Sequence, residues 1–245
     1  MYINQSLAFA SSAALLCASV ASSPISIGVD DVVLHGRGLY TIMKRSDLDA
    51  LEAARKSGVP PPKPGHLDDT LITFSGNETN TAIKQLRGRD VEIIIPNPNS
   101  RFLGWDVQMS QVVKGAPTKI SVTSGYSISN SITVGASSQF TLVKDFLSVT
   151  MKVDYSESWT SSQTQLFSAD VPEGKYGAFV SNPWTNRASG NVWSGTIGGE
   201  GTLSYYQGDS FDKKSFDIME WVDGVISLCI GDSFPLKRCL GEGTL

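Results

Sequence analysis

The chain has 245 residues, with 20 Lys and Arg against 24 Asp and Glu, and only two histidines. A formal net charge of −4 gives no electrostatic footprint for nucleic acid and no polybasic patch for anionic lipid. Residues 22–90 hold nine basic and nine acidic side chains, and residues 91–245 hold eleven and fifteen, so the acidity lies in the larger C-terminal part.

The first element in chain order is a secretory signal over residues 1–21. Leu7 to Val20 is apolar or small and uncharged, and Ser19-Val20-Ala21 places small residues where signal peptidase reads. Its removal takes Cys17 away and leaves Cys229 and Cys239 in an oxidising compartment. These two are expected to bridge around the loop Ile230–Arg238, a ring whose closure is worth about 3 kcal/mol.

Residues 22–90 read as an N-terminal arm or pro-segment. One helix is expected, with Ser46 as N-cap, Asp49 three residues on, and Leu48, Leu51 and Ala54 on one face. Gly58 stops it, and Pro60-Pro61-Pro62-Lys63-Pro64 enforces an extended linker. Lys44-Arg45 is a dibasic pair and Arg87-Gly88-Arg89 precedes the next region, so both are candidate processing sites. Removal in the secretory pathway and retention as a packed helical arm both stay open. Asn77-Glu78-Thr79 is a glycosylation sequon.

From residue 91 the chain reads as strands, and it holds all five tryptophans. Val91–Ile95 is a β-branched run, and Arg101–Val113 is a longer irregular strand region. Two long alternating segments follow, Lys119–Val134 and Leu147–Thr160. In the first, Ile120, Val122, Tyr126, Ile128, Ile132 and Val134 share one face against a Ser/Thr face. In the second, Leu147, Val149, Met151, Val153, Tyr155 and Trp159 do the same. The pair predicts a long hairpin. Further strands are expected over Gln165–Ala169, Tyr176–Val180, Asn191–Ile197, Thr202–Tyr206 and Val225–Ile230. Turns are expected at Pro172-Glu173-Gly174, Asn182-Pro183, Ser189-Gly190 and Gly198-Gly199. The fold class is all-β, an elongated antiparallel β-sandwich over residues 91–245 with a long Ser/Thr-rich hairpin, preceded by the short helical arm.

Both histidines, His35 and His66, precede residue 91, so the β-rich region lacks the base of a Ser–His or Cys–His nucleophile and a His-ligated zinc site. No cofactor or metal is implied. Close carboxylate sets such as Asp154/Glu157 and Asp209/Asp212 suit a glycosidase only across a cleft of the right width, and surface carboxylates are the plain alternative. Binding is the better reading. Trp184 with Asn186 and Arg187 is expected in a turn, where a lone indole beside polar groups stacks on a sugar ring or anchors an interface. The competing reading folds that Trp back onto the sheet. Tyr205-Tyr206 sends one ring to each face, which makes Tyr206 a further candidate.

Four blocks, Asp30–Gly58, Ile93–Ser110, Lys175–Thr185 and Glu220–Leu245, resemble small secreted effector-like proteins of plant-associated ascomycete fungi. The resemblance implies a secreted, extracellular protein linked to host interaction, with no established enzyme chemistry. The expected role is that of a virulence-associated, non-enzymatic protein that binds a host surface protein or glycan. Lys119–Gly174, with its two Ser/Thr-faced strands and Val171-Pro172-Glu173-Gly174-Lys175, is also similar to aerolysin-type β-pore-forming proteins. That similarity implies strands able to rearrange into a transmembrane barrel, and a membrane is a partner only on this reading. A lectin-like carbohydrate-binding module is a further alternative.

Overall fold

The computed structural model describes residues 28–36, 39–75, 90–116, 118–162, 164–216 and 219–245. The signal segment, the Asn77 sequon, Arg87 and Arg89 lie outside the described residues. The chain is mostly antiparallel β, with two α-helices among the described residues. It opens with a hairpin of β1 (Asp31–Gly36) and β2 (Leu39–Lys44), followed by α1 (Arg45–Ser57). Gly58 ends α1 with φ 65°, as expected, but the helix begins one residue before Ser46 and Lys44 takes the cap position with no side-chain cap bond. The short strands β3 (Ile72–Ser75), β4 (Asp90–Pro96), β5 (Ser100–Leu103), β6 (Val107–Gln108) and β7 (Val113–Lys114) come next.

The expected hairpin is broken into pieces. Lys119–Val134 becomes β8 (Thr118–Val122), β9 (Ser127–Ser129) and β10 (Ser131–Val134). Leu147–Met151 is the end of a helix, α2 (Phe140–Met151). Phe140, Val143 and Leu147 recur at i, i+3 and i+7, the spacing of one helical face, and all three are buried. Leu147, Val149 and Met151 also alternate, so this short run fits both periods, and the helix leaves Val149 77 % exposed. The remaining part is β11 (Ser158–Thr160), which pairs with β9 so that Trp159 faces Ile128.

The rest comprises β12 (Thr164–Val171), β13 (Tyr176–Thr196), β14 (Gly201–Phe211), β15 (Lys213–Phe216), β16 (Met219–Val222) and β17 (Gly224–Gly231). β13 organises them. At about 3.4 Å per residue its 21 residues reach roughly 70 Å. It pairs with β17 over residues 176–183 and with β14 over 185–195. The segment 90–114 runs antiparallel to it as β4, β5, β6 and β7. Two of the expected turns are therefore inside this strand. Pro183 sits where the partner changes from β17 to β14, so its missing N–H falls between two ladders. Gly190 admits a neighbour: a Cβ there would lie 2.3 Å from the Ile95 carbonyl oxygen and 2.8 Å from the Tyr206 hydroxyl. The other two turns occur as expected, with Gly174 at φ 77° and Gly198 at φ 82°.

Two cores flank this strand. On the β14 side, Ile132, Val134, Ala188, Val192 and Tyr206 pack under α2. On the β17 side, the ribbons β8–β12, β9–β11 and β15–β16 supply Val122, Trp159, Phe167 and Trp221, which pack with Phe179 of β13. Residues 22–90 contribute too. Leu51 of α1 is 2 % exposed against Leu103, Val225 and Leu240, and β3 adds a strand beyond β10. The Cys229–Cys239 bridge is formed, with Cα atoms 5.7 Å apart. Among the described residues no helix is long and apolar enough to cross a membrane.

The helix assignment separates two residues that a strand would treat alike. Leu147→Ala should destabilise by about 2–5 kcal/mol through lost burial and a cavity, whereas Val149→Ala should change stability by no more than about 0.5 kcal/mol. Denaturant titration of the two variants checks this, and equal losses would contradict the helix.

Candidate functional site

The candidate site is the polar face of the β14-side sheet. Side chains alternate along each strand, so the residues between those that pack under α2 point the other way. In register across β3, β10, β14, β13 and β5 stand Ser75, Ser131, Asp209, Arg187 and Ser100. Two residues along, roughly 7 Å away, Thr73, Thr133, Gln207 and Ser189 form a second row. An antiparallel sheet commonly leaves such a face to water. Here the linker after α1 crosses it. The carbonyl oxygen of Pro61 accepts a 2.7 Å hydrogen bond from Trp105 Nε1. Gly65 lies so close to the second row that a Cβ would sit 2.3 Å from Thr133 Oγ1 and 2.7 Å from Gln207 Nε2.

Between roof and sheet is a cavity of about 470 Å³, within the range that small-ligand sites occupy. Its floor is a buried ion pair. Arg187 Nε and Nη2 donate to the two oxygens of Asp209 at 2.6 and 2.7 Å, and both side chains are less than a tenth exposed. Gln207 Nε2 donates to Asp209 at 3.3 Å, and Tyr205 donates its hydroxyl proton to Gln207 Oε1 at 3.1 Å. The guanidinium lies over the Phe102 ring, 5.1 Å from its centre. Phe211 and Trp105 add apolar wall.

The other carboxylate reaching the cavity, Asp106, is 3 % exposed and fully engaged. It accepts from Asn182 Nδ2 at 2.7 Å and from the backbone N–H groups of Cys239 and Leu240 at 2.6 and 3.1 Å. Asp106, Cys229 and Cys239 come close enough to suggest a metal cluster. Their atoms are committed elsewhere, the sulfurs to each other and the carboxylate to these donors. His66 stands at the rim, open to solvent on one side. Desolvation on its packed side holds its pKa below the ordinary histidine value; Asp209 opposes that shift and Arg238 adds to it. The neutral form is thus favoured in the folded chain, and stability falls as pH drops below about 6.5.

The residues singled out from sequence are dispersed. Trp184 is in the middle of β13, not a turn. It is half-buried against α1, its Nε1 3.4 Å from Asp47 Oδ1 and its ring 4.7 Å from the Arg101 guanidinium carbon. Asn186 shares that side of the strand and donates to Asp212 Oδ2 at 3.2 Å. Tyr206 is 1 % exposed in the core, because the strand turns Tyr205 rather than Tyr206 toward the polar face. Arg187 alone of the four reaches the cavity. Lys44 and Arg45 are exposed at the β2–α1 junction, where Lys44 pairs with Asp31 and the Arg45 N–H donates to the Asp30 carbonyl at 2.8 Å. Sequence reasoning named Asp209 only within a carboxylate set, apart from Arg187, and missed Gln207, Phe102 and the serines. The available signal was the polar run Tyr205-Tyr206-Gln207-Gly208-Asp209 inside a strand pattern, with a carboxylate on the face opposite Tyr206.

Comparison with family models, with curated proteins and with solved structures finds no match for this chain.

Arg187→Gln should cost about 3–5 kcal/mol, because it strands Asp209 in a buried site. The double variant Arg187→Met with Asp209→Leu should regain most of that loss, since apolar pairs of similar volume replace buried ion pairs at little cost. Chemical denaturation of both variants tests this, and a double variant less stable than the single would contradict it.

Proposed function

We propose that this chain is a secreted effector-type protein that acts by binding at the host surface or in the apoplast, without catalysis, and that the roofed polar cleft is where it binds. One observation carries the reading. A buried Arg187–Asp209 pair, tied to Gln207 and backed by Phe102, floors a cavity of about 470 Å³. Buried ion pairs add little net stability, which favours recognition as the reason for this one. Non-catalytic action fits the occupancy of the groups, because both cavity carboxylates are held by three donors each. The Cys229–Cys239 bridge favours an oxidising, extracellular destination. α1 and β3 pack on the β-rich region, and the linker between them forms the roof, which favours retention of these segments when the protein binds.

A β-pore-forming protein is the second reading, and the nested pairing favours it. β8 pairs with β12 and, inside it in sequence, β9 pairs with β11, which gives two nested antiparallel ribbons with β10 and α2 between their inner strands. Insertion would first have to free β10 from β14 and β3 and withdraw Phe140, Val143 and Leu147 from the core. That cost favours the binding reading.

Ser127 is exposed at the cavity rim, so Ser127→Trp should block the cleft while leaving the fold intact. The expected result is loss of binding to host tissue with an unchanged melting temperature, and no dye release from liposomes by either form. Undiminished host binding by the blocked variant would overturn the site, and leakage by the parent protein would favour the pore.

A further inference from the structure

The chemistry inside the cleft is narrower than a general binding site. Four serines that line it, Ser75, Ser127, Ser129 and Ser131, make no side-chain hydrogen bond among the described residues. Arg187 uses Nε and Nη2 on Asp209, and its Nη1 makes no hydrogen bond among the described residues. The cleft therefore offers hydroxyls that both donate and accept, and one free guanidinium edge. Its fixed charges cancel. Arg187 faces Asp209, and the lining matches Asp106 with Arg238, whose Nε donates to the Asp106 backbone carbonyl at 3.3 Å. An anionic or cationic ligand would bring an unpaired charge into a site that has already balanced its own.

The spacing adds a second constraint. One polar row lines the cleft across four strands, with Ser75, Ser131, Asp209 and Arg187 in register. Thr73 also reaches the cleft, whereas Thr133 and Gln207 lie under Gly65. This row, together with Ser127 and Ser129 of β9, matches a ligand that carries several hydroxyls. Phe102 and Phe211 supply the apolar wall that the C–H face of a ring needs. Arg187, Asp209, Gln207 and Tyr205 are already linked, so ligand hydroxyls joining this chain polarise and strengthen it.

We infer that the cleft binds a short neutral oligosaccharide, with the serine hydroxyls and Arg187 Nη1 hydrogen-bonded to ring hydroxyls and Phe102 and Phe211 against ring faces. This inference rests on the cleft being the binding site and adds the class of ligand. A proline-rich peptide is the macromolecular competitor, since the chain's own Pro61 carbonyl accepts from Trp105. The favoured ligand is the sugar, because the unpartnered groups are hydroxyls on the sheet and the Trp105 N–H is already used.

The test is isothermal titration of the full secreted chain with neutral β-glucan, xylan and chitin oligosaccharides. An acidic oligouronide and a proline-rich peptide serve as controls. At least one neutral oligosaccharide should bind and the controls should not. Ser131→Ala and Ser75→Ala should each weaken binding by about 5–10-fold, the loss of one hydrogen bond of about 1 kcal/mol, with unchanged melting temperature because neither hydroxyl bonds among the described residues. Ser204→Ala, outside the cleft, is the control variant. Affinity for none of the neutral oligosaccharides, or affinity that ignores both serine variants, would overturn the inference. Host binding that is blocked by Ser127→Trp yet survives enzymatic removal of host glycans would overturn the sugar while leaving the binding reading in place.

Discussion

Everything in this fold depends on one strand being hydrogen-bonded along both edges for most of its length. β13 takes β17 and then β14 as partners, with β4 to β7 ranged against it. That arrangement gives the sheet two distinct faces on the β14 side. One is apolar and covered by α2; the other is polar and covered by the linker after α1. The Arg187–Asp209 pair can be buried because β13 and β14 hold its two partners directly opposite each other, so the bidentate geometry is set by backbone register.

The roof follows from the sequence of the linker. Pro60-Pro61-Pro62-Lys63-Pro64 cannot form a helix or join a ladder, and Pro64 has the extended values φ −61° and ψ 140°. Such a segment leaves its carbonyls free, and Trp105 uses one of them to satisfy its own buried N–H. At Gly65 the absence of a side chain lets the chain descend onto Thr133 and Gln207. The N-terminal segment is thus built into the site as well as into the core.

The β character, the disulfide, the α1 helix and two of four turns were legible in the sequence, because each rests on a local signal. Alternation correctly placed Ile120, Val122, Ile132 and Val134 inside. It failed at Leu147–Met151, where five residues satisfy both the strand and the helix period and Phe140 and Val143 decide for the helix. Pro183 and Ser189-Gly190 were read as turns because a lone proline or glycine gives the same signal whether it ends a strand or relieves crowding within one. The site was mostly hidden. Arg187 could be singled out beside Trp184, but its partner Asp209 comes from another strand, and only register brings the two together. The same register sends Trp184 and Asn186 to the opposite side of β13.

The central claim is that recognition happens in the cleft under the linker. Hydrogen exchange of the full chain, with and without host cell-wall material, tests it most directly because it maps the contact without altering a residue. Protection should appear in the linker at residues 62–67, in 127–131 and in 207–211, which together frame the cavity. Protection confined instead to the other end of the same strands, around the exposed Ile93 and Leu203 beside Trp193, would contradict the account.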